Sequence, residues 1–356
     1  MADKFLKSLN IGDGNIYKPL PLLDGGGKTW IQSNITSDVF NSAYYGNGLW
    51  VAAGSNNGLW YSTDGQNWTH SNITSGNFNS VYYSNGLWVA CGGDANGLWY
   101  STDGKTWIQS NITSDVFYLV YYANGLWVAC SGGVSGLYYS EDGKVWTQSN
   151  ITSGVSNSVY YGNGLWVAGG SDDYGLYYST NGKVWTQSNI TSGTFYSVYY
   201  GNGLWVAGGD DNGLWYSTDG QNWTHSNITI DVFDSIYYAN GLWVAGSASG
   251  LYYSTDGKNW TQSNITSNYF FLVYYANGLW VACGGDDNGL YYSIDGKVWI
   301  QSNMTSGIFY SVYYANGLWV ACGGDDNDNG LYYSEYPSEG KILQVVNGEW
   351  AAGMKL

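Results

Sequence analysis

The feature that most constrains this chain is a tandem repeat marked by tryptophan. One series of tryptophans lies in the motif NGLWVA and the other follows a Gly-containing turn, and each has eight members spaced 37 to 39 residues apart. The first series is Trp50, Trp88, Trp127, Trp166, Trp205, Trp243, Trp280 and Trp319, and the second is Trp30, Trp68, Trp107, Trp146, Trp185, Trp223, Trp260 and Trp299. A unit of this length cannot bury its own faces, so the units must pack against one another.

Each unit predicts four short β-strands. In one copy they are residues 196–200, 204–208, 214–217 and 222–226, all rich in aromatic and β-branched residues. Asn-Gly separates the first two strands and Asp-Gly separates the last two, and both dipeptides favour the type I′ turn of a tight hairpin. No stretch has helical periodicity over a useful length. Four-stranded units of this size predict an all-β fold, a β-propeller of antiparallel blades.

The ends of the repeat region predict how the ring closes. Lys28 to Ser33 reads as an isolated fourth strand, and Tyr310 to Ser334 supplies three strands that lack a fourth. Pairing the two segments gives a 3+1 blade, removes an open sheet edge and brings the number of blades to eight. An alternative with nine blades uses both terminal segments, because NGEWAAG at 347–353 imitates NGLWVAG.

The predicted organisation is one domain with two extensions. An N-terminal extension covers residues 1–23, a single propeller of eight repeats covers 24–334, and a C-terminal extension or hairpin covers 335–356. By length alone the chain would suggest two or three domains, but repeats that depend on their neighbours belong to one domain.

Charge and hydropathy exclude several classes of partner. The net charge is −16, and all eleven basic residues are lysine. We expect no binding to nucleic acid, whose phosphates require a basic surface. No apolar run approaches the length of a membrane span, and the start of the chain lacks the apolar core of a secretory signal. We therefore expect no insertion into membranes and synthesis in the cytoplasm, with a virion or an extracellular destination left open. The sequence leaves the oligomeric state open, and a monomer is favoured.

No side chains combine into a catalytic or metal-binding pattern. Cys91, Cys130, Cys283 and Cys322 share one repeat position that elsewhere holds Ala or Gly, which predicts buried free thiols. The two histidines, His70 and His225, replace a glutamine of other copies, and no nucleophile pairs with them. We predict no metal, no cofactor and no enzymatic activity.

The turn between the third and fourth strands carries the motif SxDGxxW. Its aspartates are predicted to be structural, and they are Asp64, Asp103, Asp142, Asp219, Asp256 and Asp295. The motif resembles the Asp-box hairpin of sialidase-like propellers, although it is one residue shorter than SxDxGxTW. The resemblance implies that Asp and Ser hold the turn while Trp packs on the blade. It does not extend to sialidase activity, which relies on arginines that this chain lacks.

Variation in length falls on one side of the repeat. The interval from a turn tryptophan to the next NGLWVA tryptophan is always 20 residues, whereas the following interval is 17 to 19 residues. The difference lies in the loop between the second and third strands, which shares a face with the connection between blades. We predict that this face binds a ligand. The candidate ligand-binding residues are Asp94, Asp172, Asp173, Asp210, Asp211, Asp286, Asp287, Asp325, Asp326, Phe78, Phe117, Phe195, Phe233, Phe270 and Phe309.

The triplet Asn-Ile-Thr recurs in the connection between blades, as at Asn150. It matches the glycosylation sequon, but we predict that its Asn and Thr side chains make local hydrogen bonds in the turn.

The favoured function is a non-enzymatic, multivalent binding module for carbohydrate or another cell-surface polymer, since repeated weak sites reinforce one another. The alternative is a structural or protein-interaction scaffold without a small-molecule ligand. A glycoside hydrolase that uses loop aspartates is less favoured, because it needs two carboxylates at a defined separation. Residues 340–353 (GKILQVVNGEWAAG) resemble a hairpin near domain ends of phage and prophage tail proteins, which implies a tail or adhesin context.

Overall fold

A computed structural model describes residues 26–93, 96–132, 135–154, 156–170, 174–210, 213–285, 288–324, 330–335, 343–346 and 349–352. These residues form eight four-stranded antiparallel sheets and one two-stranded sheet, with no helix in the described ranges. The predicted eight-bladed β-propeller is therefore confirmed. The nine-bladed alternative is wrong, because within the described ranges the two C-terminal strands form a separate two-stranded sheet.

The first strand along the chain is β1 (Ile31–Gln32), which is the fourth strand of blade 8. Blade 1 contains β2 (Phe40–Gly46), β3 (Leu49–Gly54), β4 (Leu59–Ser62) and β5 (Thr69–His70). Blade 2 contains β6 (Phe78–Ser84), β7 (Leu87–Gly92), β8 (Leu98–Ser101) and β9 (Ile108–Gln109). Blade 3 contains β10 (Phe117–Ala123), β11 (Leu126–Ser131), β12 (Leu137–Ser140) and β13 (Thr147–Gln148). Blade 4 contains β14 (Ser156–Gly162), β15 (Leu165–Gly170), β16 (Leu176–Ser179) and β17 (Thr186–Gln187).

The second half of the ring repeats the pattern. Blade 5 contains β18 (Phe195–Gly201), β19 (Leu204–Gly209), β20 (Leu214–Ser217) and β21 (Thr224–His225). Blade 6 contains β22 (Phe233–Ala239), β23 (Leu242–Ser247), β24 (Gly250–Ser254) and β25 (Thr261–Gln262). Blade 7 contains β26 (Phe270–Ala276), β27 (Leu279–Gly284), β28 (Leu290–Ser293) and β29 (Ile300–Gln301). Blade 8 contains β30 (Phe309–Ala315), β31 (Leu318–Gly323) and β32 (Gly330–Glu335) together with β1, and the hairpin contains β33 (Leu343–Val346) and β34 (Glu349–Ala352).

The 3+1 closure joins the two ends of the repeat region. Strand β1 pairs antiparallel with β32, and the register places Ile31 opposite Tyr333 and Gln32 opposite Tyr332. The backbone N–H of Ser33 also donates to the carbonyl of Leu331 at 2.8 Å. Blade 8 consequently presents the same four-stranded order as the other seven blades.

The first strand of every blade lies closest to the axis of the ring. Each first strand packs against the first strand of the next blade, and β30 returns to β2 to complete the circle. We call these eight strands, β2, β6, β10, β14, β18, β22, β26 and β30, the inner strands. Each is joined to its second strand by an Asn-Gly turn with positive φ, as at Asn47 (50°) and Gly48 (77°). That conformation is the reason for the repeated Asn-Gly pair.

The NGLWVA tryptophans hold neighbouring blades together. Trp88 is fully buried, with Tyr83 of its own blade at 4.9 Å between ring centroids and Tyr44 of the preceding blade edge-on at 6.5 Å. All eight copies repeat this arrangement, and tilted or edge-on aromatic pairs add to the stability that burial gives. The tryptophan period is thus the period of the interface between blades.

The asparagine of each Asn-Ile-Thr triplet reaches the next blade. Asn150 Oδ1 accepts a hydrogen bond from the backbone N–H of Trp185 at 2.7 Å, and its Nδ2 donates to the carbonyl of Trp185 at 2.9 Å. The same two bonds occur at all eight junctions, including Asn303 to Trp30 across the closure. The prediction of local turn bonding is wrong for these asparagines, because both polar atoms of the amide are used between blades. We call this pair of bonds the asparagine clamp.

The four cysteines are buried and free, as predicted. Burial raises the pKa of the Cys91 thiol to about 12, against smaller effects from hydrogen bonds of Ser80 and its own backbone. These thiols are small core residues. Among the described residues, no helix is long and apolar enough to cross a bilayer.

Candidate functional site

The two faces of the ring differ in what they repeat. The hairpin face carries the turns between first and second strands and between third and fourth strands, such as 47–48 and 63–67 in blade 1. The loop face carries the loops between second and third strands, such as 55–58, and the connections between blades, such as 71–77. Hydrogen bonds from Gly58 N to Gly76 O and from Leu59 N to Ile73 O join the two parts of the loop face.

The turn aspartates hold the hairpin face in shape. In blade 1, Asp64 Oδ1 accepts hydrogen bonds from Ser62 Oγ and from the backbone N–H groups of Gln66 and Asn67, at 2.8 to 2.9 Å. Burial opposes ionisation, but the bonds from Asn67, Gln66 and Ser62 outweigh it and lower the pKa of Asp64 to about 2. The same bonds recur at Asp103, Asp142, Asp219, Asp256 and Asp295. One oxygen of each of these carboxylates holds the turn, so we assign them a structural role and place no ligand there.

The predicted loop aspartates fall largely outside the described residues. Asp210 is described and exposed, and its backbone N–H donates to Thr194 O, which places it beside the start of the inner strand of blade 5. The others, Asp94, Asp172, Asp173, Asp211, Asp286, Asp287, Asp325 and Asp326, lie outside the described residues. Ligand binding by them stays a prediction.

The predicted phenylalanine walls require a correction. Phe78, Phe117, Phe195, Phe233, Phe270 and Phe309 each begin an inner strand and are only 0 to 2 % exposed. Phe117, for example, packs edge-on against Tyr138 of its own blade at 5.3 Å. The rings lie in the core because the first residue of each inner strand points between blades. They present no surface to a ligand, and we leave them out of the candidate site.

A closed ring of tyrosines surrounds the axis. The fifth residue of every inner strand is tyrosine, and each tyrosine ring contacts the next at 4.5 to 5.6 Å between centroids. We call this ring the girdle, and its members are Tyr44, Tyr82, Tyr121, Tyr160, Tyr199, Tyr237, Tyr274 and Tyr313. Burial, and then the neighbouring phenols Tyr237 and Tyr160, raise the pKa of Tyr199 well above its usual value, so this phenol is neutral at physiological pH.

The second residue of every inner strand occupies a β-bulge. In blade 1 the register shifts between Phe40 and Ser42, so Asn41 has no partner on β3. The same shift recurs in all eight blades. A bulge turns one side chain away from the regular sheet, which is why bulges often flank binding sites. We call these residues the rim, and they are Asn41, Asn79, Tyr118, Asn157, Tyr196, Asp234, Phe271 and Tyr310.

The rim adjoins the loop face. Gly132, at the base of a second-to-third-strand loop, lies so close to the Tyr118 ring that a Cβ there would be 2.7 Å from it, and Gly285 lies against Phe271 in the same way. Tyr118 is 44 % exposed, and the other rim residues are half-buried. The rim and the loop bases thus form one surface around the loop-face mouth of the axis.

Part of the rim is built from amides. Asn41 Nδ2 donates to the carbonyl of Phe78 at 2.9 Å, and Asn79 Nδ2 donates to the carbonyl of Phe117 at 2.8 Å. Each bond runs to the start of the next inner strand. Asn157 holds the same position, but its buried Nδ2 has no hydrogen-bond partner among the described residues.

The opposite part of the rim is acidic and aromatic. Asp234 accepts a hydrogen bond from Tyr269, while its buried Oδ2 has no partner in the described part of the chain. Burial raises the pKa of Asp234 to about 6, the Tyr269 bond lowers it, and the charge of Asp210 raises it. The rings of Tyr269 and Phe271 are 4.6 Å apart, and those of Phe271 and Tyr310 are 5.6 Å apart. We call Asp210, Asp234, Tyr269, Phe271 and Tyr310 the acidic–aromatic sector.

The rim residues are not among the binding residues predicted from the sequence, although the variation in residue type at this position could have indicated them. Among the seven positions of the inner strand, the second has the most residue types across the eight copies, namely Asn, Tyr, Asp and Phe. Because the inner strands have the same length in every blade, a comparison of loop lengths does not reveal this variation in residue type.

Neither histidine lies at this site. His70 stacks on Trp60 at 3.5 Å and His225 stacks on Trp215 at 3.4 Å, and all four residues belong to third or fourth strands at the outside of the ring. Within the described ranges, no group of three or more His, Cys, Asp or Glu side chains is placed to hold a metal ion.

Comparison with known proteins gives the fold. No protein-family model matches the chain, and no curated protein matches it, so the Asp-box and phage-tail resemblances stay predictions. The computationally designed Ika8 protein is similar with a TM-score of 0.68 and 9 % identity, over 87 % of this chain and 100 % of that chain. Sqt1 of Saccharomyces cerevisiae has a TM-score of 0.64 and 10 % identity, over 88 % and 99 % of the two chains. A structure of YCF48 bound to D1 peptide has a TM-score of 0.56 and 17 % identity, over 90 % and 100 %. At these identities the likeness shows a shared propeller architecture.

Proposed function

We propose that this chain is a non-enzymatic binding module that takes carbohydrate at the loop-face mouth of its axis. The observation that carries the proposal is the rim, where eight otherwise similar inner strands bear different side chains in a bulge that adjoins the loop face. A stable ring has no need for such diversity at one position, whereas recognition of a ligand without eightfold symmetry does.

The chemistry of the rim suits sugars. The amide oxygens of Asn41 and Asn79 can accept hydrogen bonds from a hydroxyl-rich ligand, and Asn79 Nδ2 has a second hydrogen beyond the one it donates to Phe117. Aromatic rings such as Tyr118 and Tyr310 offer flat apolar surface together with a polar hydroxyl. The loops of the surrounding blades repeat around the mouth, and several weak contacts there would strengthen binding to a polymer through effective concentration.

We propose no catalytic step. A glycosidase needs two carboxylates with a defined separation and access to the glycosidic bond. The acidic–aromatic sector has two described carboxylates, Asp210 and Asp234, but the Oδ2 of Asp234 is buried and has no access to a glycosidic bond. The proposal therefore predicts that bound oligosaccharides stay intact on long incubation, with no release of reducing ends.

A screen of purified cell-surface glycans, followed by calorimetry on those that bind, tests this function. Tyr118→Ala should weaken binding by about tenfold, which is the loss of one aromatic contact of about 1.4 kcal/mol. Tyr139→Ala is the matched control, because Tyr139 belongs to the same blade but lies on a third strand beneath Lys183. Failure of every glycan to bind, or equal weakening by both variants, would overturn the proposal.

A protein partner is the second candidate. The YCF48 structure shows a propeller of similar fold bound to a peptide. Capture of one protein in a pull-down, unaffected by added sugars and abolished by Tyr118→Ala, would favour it over carbohydrate.

A further inference from the structure

The acidic–aromatic sector contains a carboxylate that the repeat does not satisfy. In blades 1 and 2 the rim amide donates to the carbonyl of the phenylalanine that begins the next inner strand. Asp234 occupies the same position in blade 6, but an ionised carboxylate has no hydrogen to donate. Its Oδ2 is buried without a partner among the described residues, and that is a costly state for a charged group.

No lysine of the described chain neutralises this sector. The six described lysines all lie near third-to-fourth-strand turns on the hairpin face, and each is 5.2 to 5.7 Å from the ring of a third-strand tyrosine. They are Lys28, Lys105, Lys144, Lys183, Lys258 and Lys297. The described lysines therefore leave the rim without a positive charge of its own, and the net charge of −16 favours the approach of a cation.

Aromatic rings beside the carboxylate complete a setting for a cation. Tyr269, Phe271 and Tyr310 form a continuous row, with neighbouring centroids 4.6 and 5.6 Å apart. The face of an aromatic ring attracts an ammonium group, and the attraction is strongest where water is displaced. Asp210 is exposed and close enough for its charge to act on Asp234, so a cation between the two carboxylates would relieve their repulsion.

We propose that the acidic–aromatic sector binds the ammonium group of an amino sugar, a class of ligand that rests on the carbohydrate function proposed above. The ammonium group lies over the aromatic row and against the exposed carboxylate of Asp210, where its charge also acts on Asp234, while sugar hydroxyls meet the amides on the other side of the rim. An N-acetylated sugar lacks the charge and is bound less well. A guanidinium or ammonium group on a peptide would offer similar charge but none of the hydroxyls that suit the amides.

Two oligosaccharides of equal length test the proposal: a six-residue oligomer of glucosamine and its fully N-acetylated counterpart. Calorimetry at about pH 6, where Asp234 is partly protonated, should show the glucosamine oligomer binding about tenfold more tightly. Binding of the cation should also release protons, because it lowers the pKa of Asp234, and the measured heat will then vary with the ionisation enthalpy of the buffer.

Two variants test whether Asp234 and Phe271 cause the preference for the glucosamine oligomer. Asp234→Asn should abolish both the preference for glucosamine and the proton release, while the variant stays folded, since Asn is the residue that blades 1, 2 and 4 hold there. Phe271→Ala should reduce the preference without abolishing proton release. Asn79→Ala, a rim change on the amide side, should leave the ratio of the two affinities unchanged.

The outcomes separate this inference from the function on which it rests. Equal binding of the two oligomers, or binding of other glycans but neither oligomer, overturns the amino-sugar assignment and leaves carbohydrate binding intact. Absence of binding to any glycan overturns the proposed function itself. A six-residue lysine peptide that binds as tightly as the glucosamine oligomer, and loses affinity with Asp234→Asn, overturns the sugar assignment in favour of a basic protein partner.

Discussion

The girdle and the rim lie on the same eight inner strands, three residues apart, yet one is uniform and the other is not. The girdle has tyrosine in every blade, whereas the rim has four residue types. Tyr44 belongs to the regular ladder opposite Val51, while Asn41 lies in the bulge. Uniformity therefore goes with the regular pairing and diversity with the bulge.

The contacts of the two rings explain the difference. A girdle tyrosine such as Tyr199 contacts Tyr160 of the preceding blade and both Tyr237 and Trp243 of the next one. A change at one girdle position therefore disturbs the contacts with both neighbouring blades. A rim residue such as Tyr118 lies against the base of a loop in its own blade. Asn41 and Phe271 also contact the next blade, but several side-chain types occupy this position, so we expect repeated positions to control stability and rim positions to control binding.

The largest effect expected from this division is at a buried tryptophan. Trp166 is fully buried between Tyr161 of its own blade and Tyr121 of the preceding one. Trp166→Ala should lower the free energy of unfolding by about 3–5 kcal/mol, because it leaves a large cavity between blades. Tyr118→Ala on the rim should change it by about 0.5 kcal/mol or less. Urea denaturation of both variants makes the comparison, and a similar loss from each would contradict the division.

The asparagine clamp should show the next largest effect. Asn150→Asp keeps the acceptor for Trp185 N–H but replaces the donor with a carboxylate oxygen that faces the carbonyl of Trp185. We expect a loss of about 1–2 kcal/mol, because the donor is lost and the carboxylate repels the carbonyl, while the partly exposed position limits the cost. Hydrogen exchange should show faster opening of β17 and of the 180–185 turn.

A matched control for the clamp lies in the same blade. Asn163→Asp makes the same change of charge in the exposed turn between β14 and β15, where Asn163 has φ of 51°. Aspartate also tolerates that conformation, so this variant should lose little stability. If the two variants were equally destabilised, added charge rather than the clamp would be the cause.

The sequence predicts more of the ring than of the site, for reasons that these residues show. The constant interval of 20 residues between the tryptophans of successive strands led to the eight blades and the closure. The clamp was missed because Asn150 bonds to Trp185, 35 residues away, and no local pattern reveals such a partner. Phe117 follows a loop, which predicts a surface position, but it is the first residue of an inner strand and its ring lies in the core.

Asp234→Asn should raise stability at neutral pH. Burial raises the folded-state pKa of Asp234 to about 6, above its unfolded value of 3.8, so the folded state binds more protons between these two values. The wild-type protein therefore loses stability as pH rises from about 4 to about 6 through this group, and the variant does not. At pH 7 the variant should be more stable by about 1–2 kcal/mol.

The control for Asp234 is Asp210→Asn. Asp210 is exposed, so its replacement should raise stability by less, while it weakens the repulsion that acts on Asp234. Thermal unfolding of the three proteins at pH 4 and pH 7 measures the difference. A wild-type protein that is as stable as Asp234→Asn at pH 7 would show that the carboxylate has a partner in solution and would remove the reason for a cationic ligand.

The smallest effect concerns a single hydroxyl of the girdle. The phenol of Tyr199 lies beside those of Tyr160 and Tyr237, and Tyr199→Phe removes its hydroxyl while keeping the ring contacts. At pH 7 we expect a loss of about 0.5–1.5 kcal/mol. Because the folded-state pKa of Tyr199 lies above its unfolded value of 10.0, the wild-type protein should lose stability as pH rises above that value, and the variant should lose less. The destabilisation by Tyr199→Phe should thus shrink between pH 7 and pH 11 in urea denaturation, while Tyr139→Phe on a third strand serves as the control. If the destabilisation by Tyr199→Phe instead grew with pH, Tyr199 would ionise more readily in the folded ring than in the unfolded chain. The girdle would then not be the purely structural feature that its uniformity indicates.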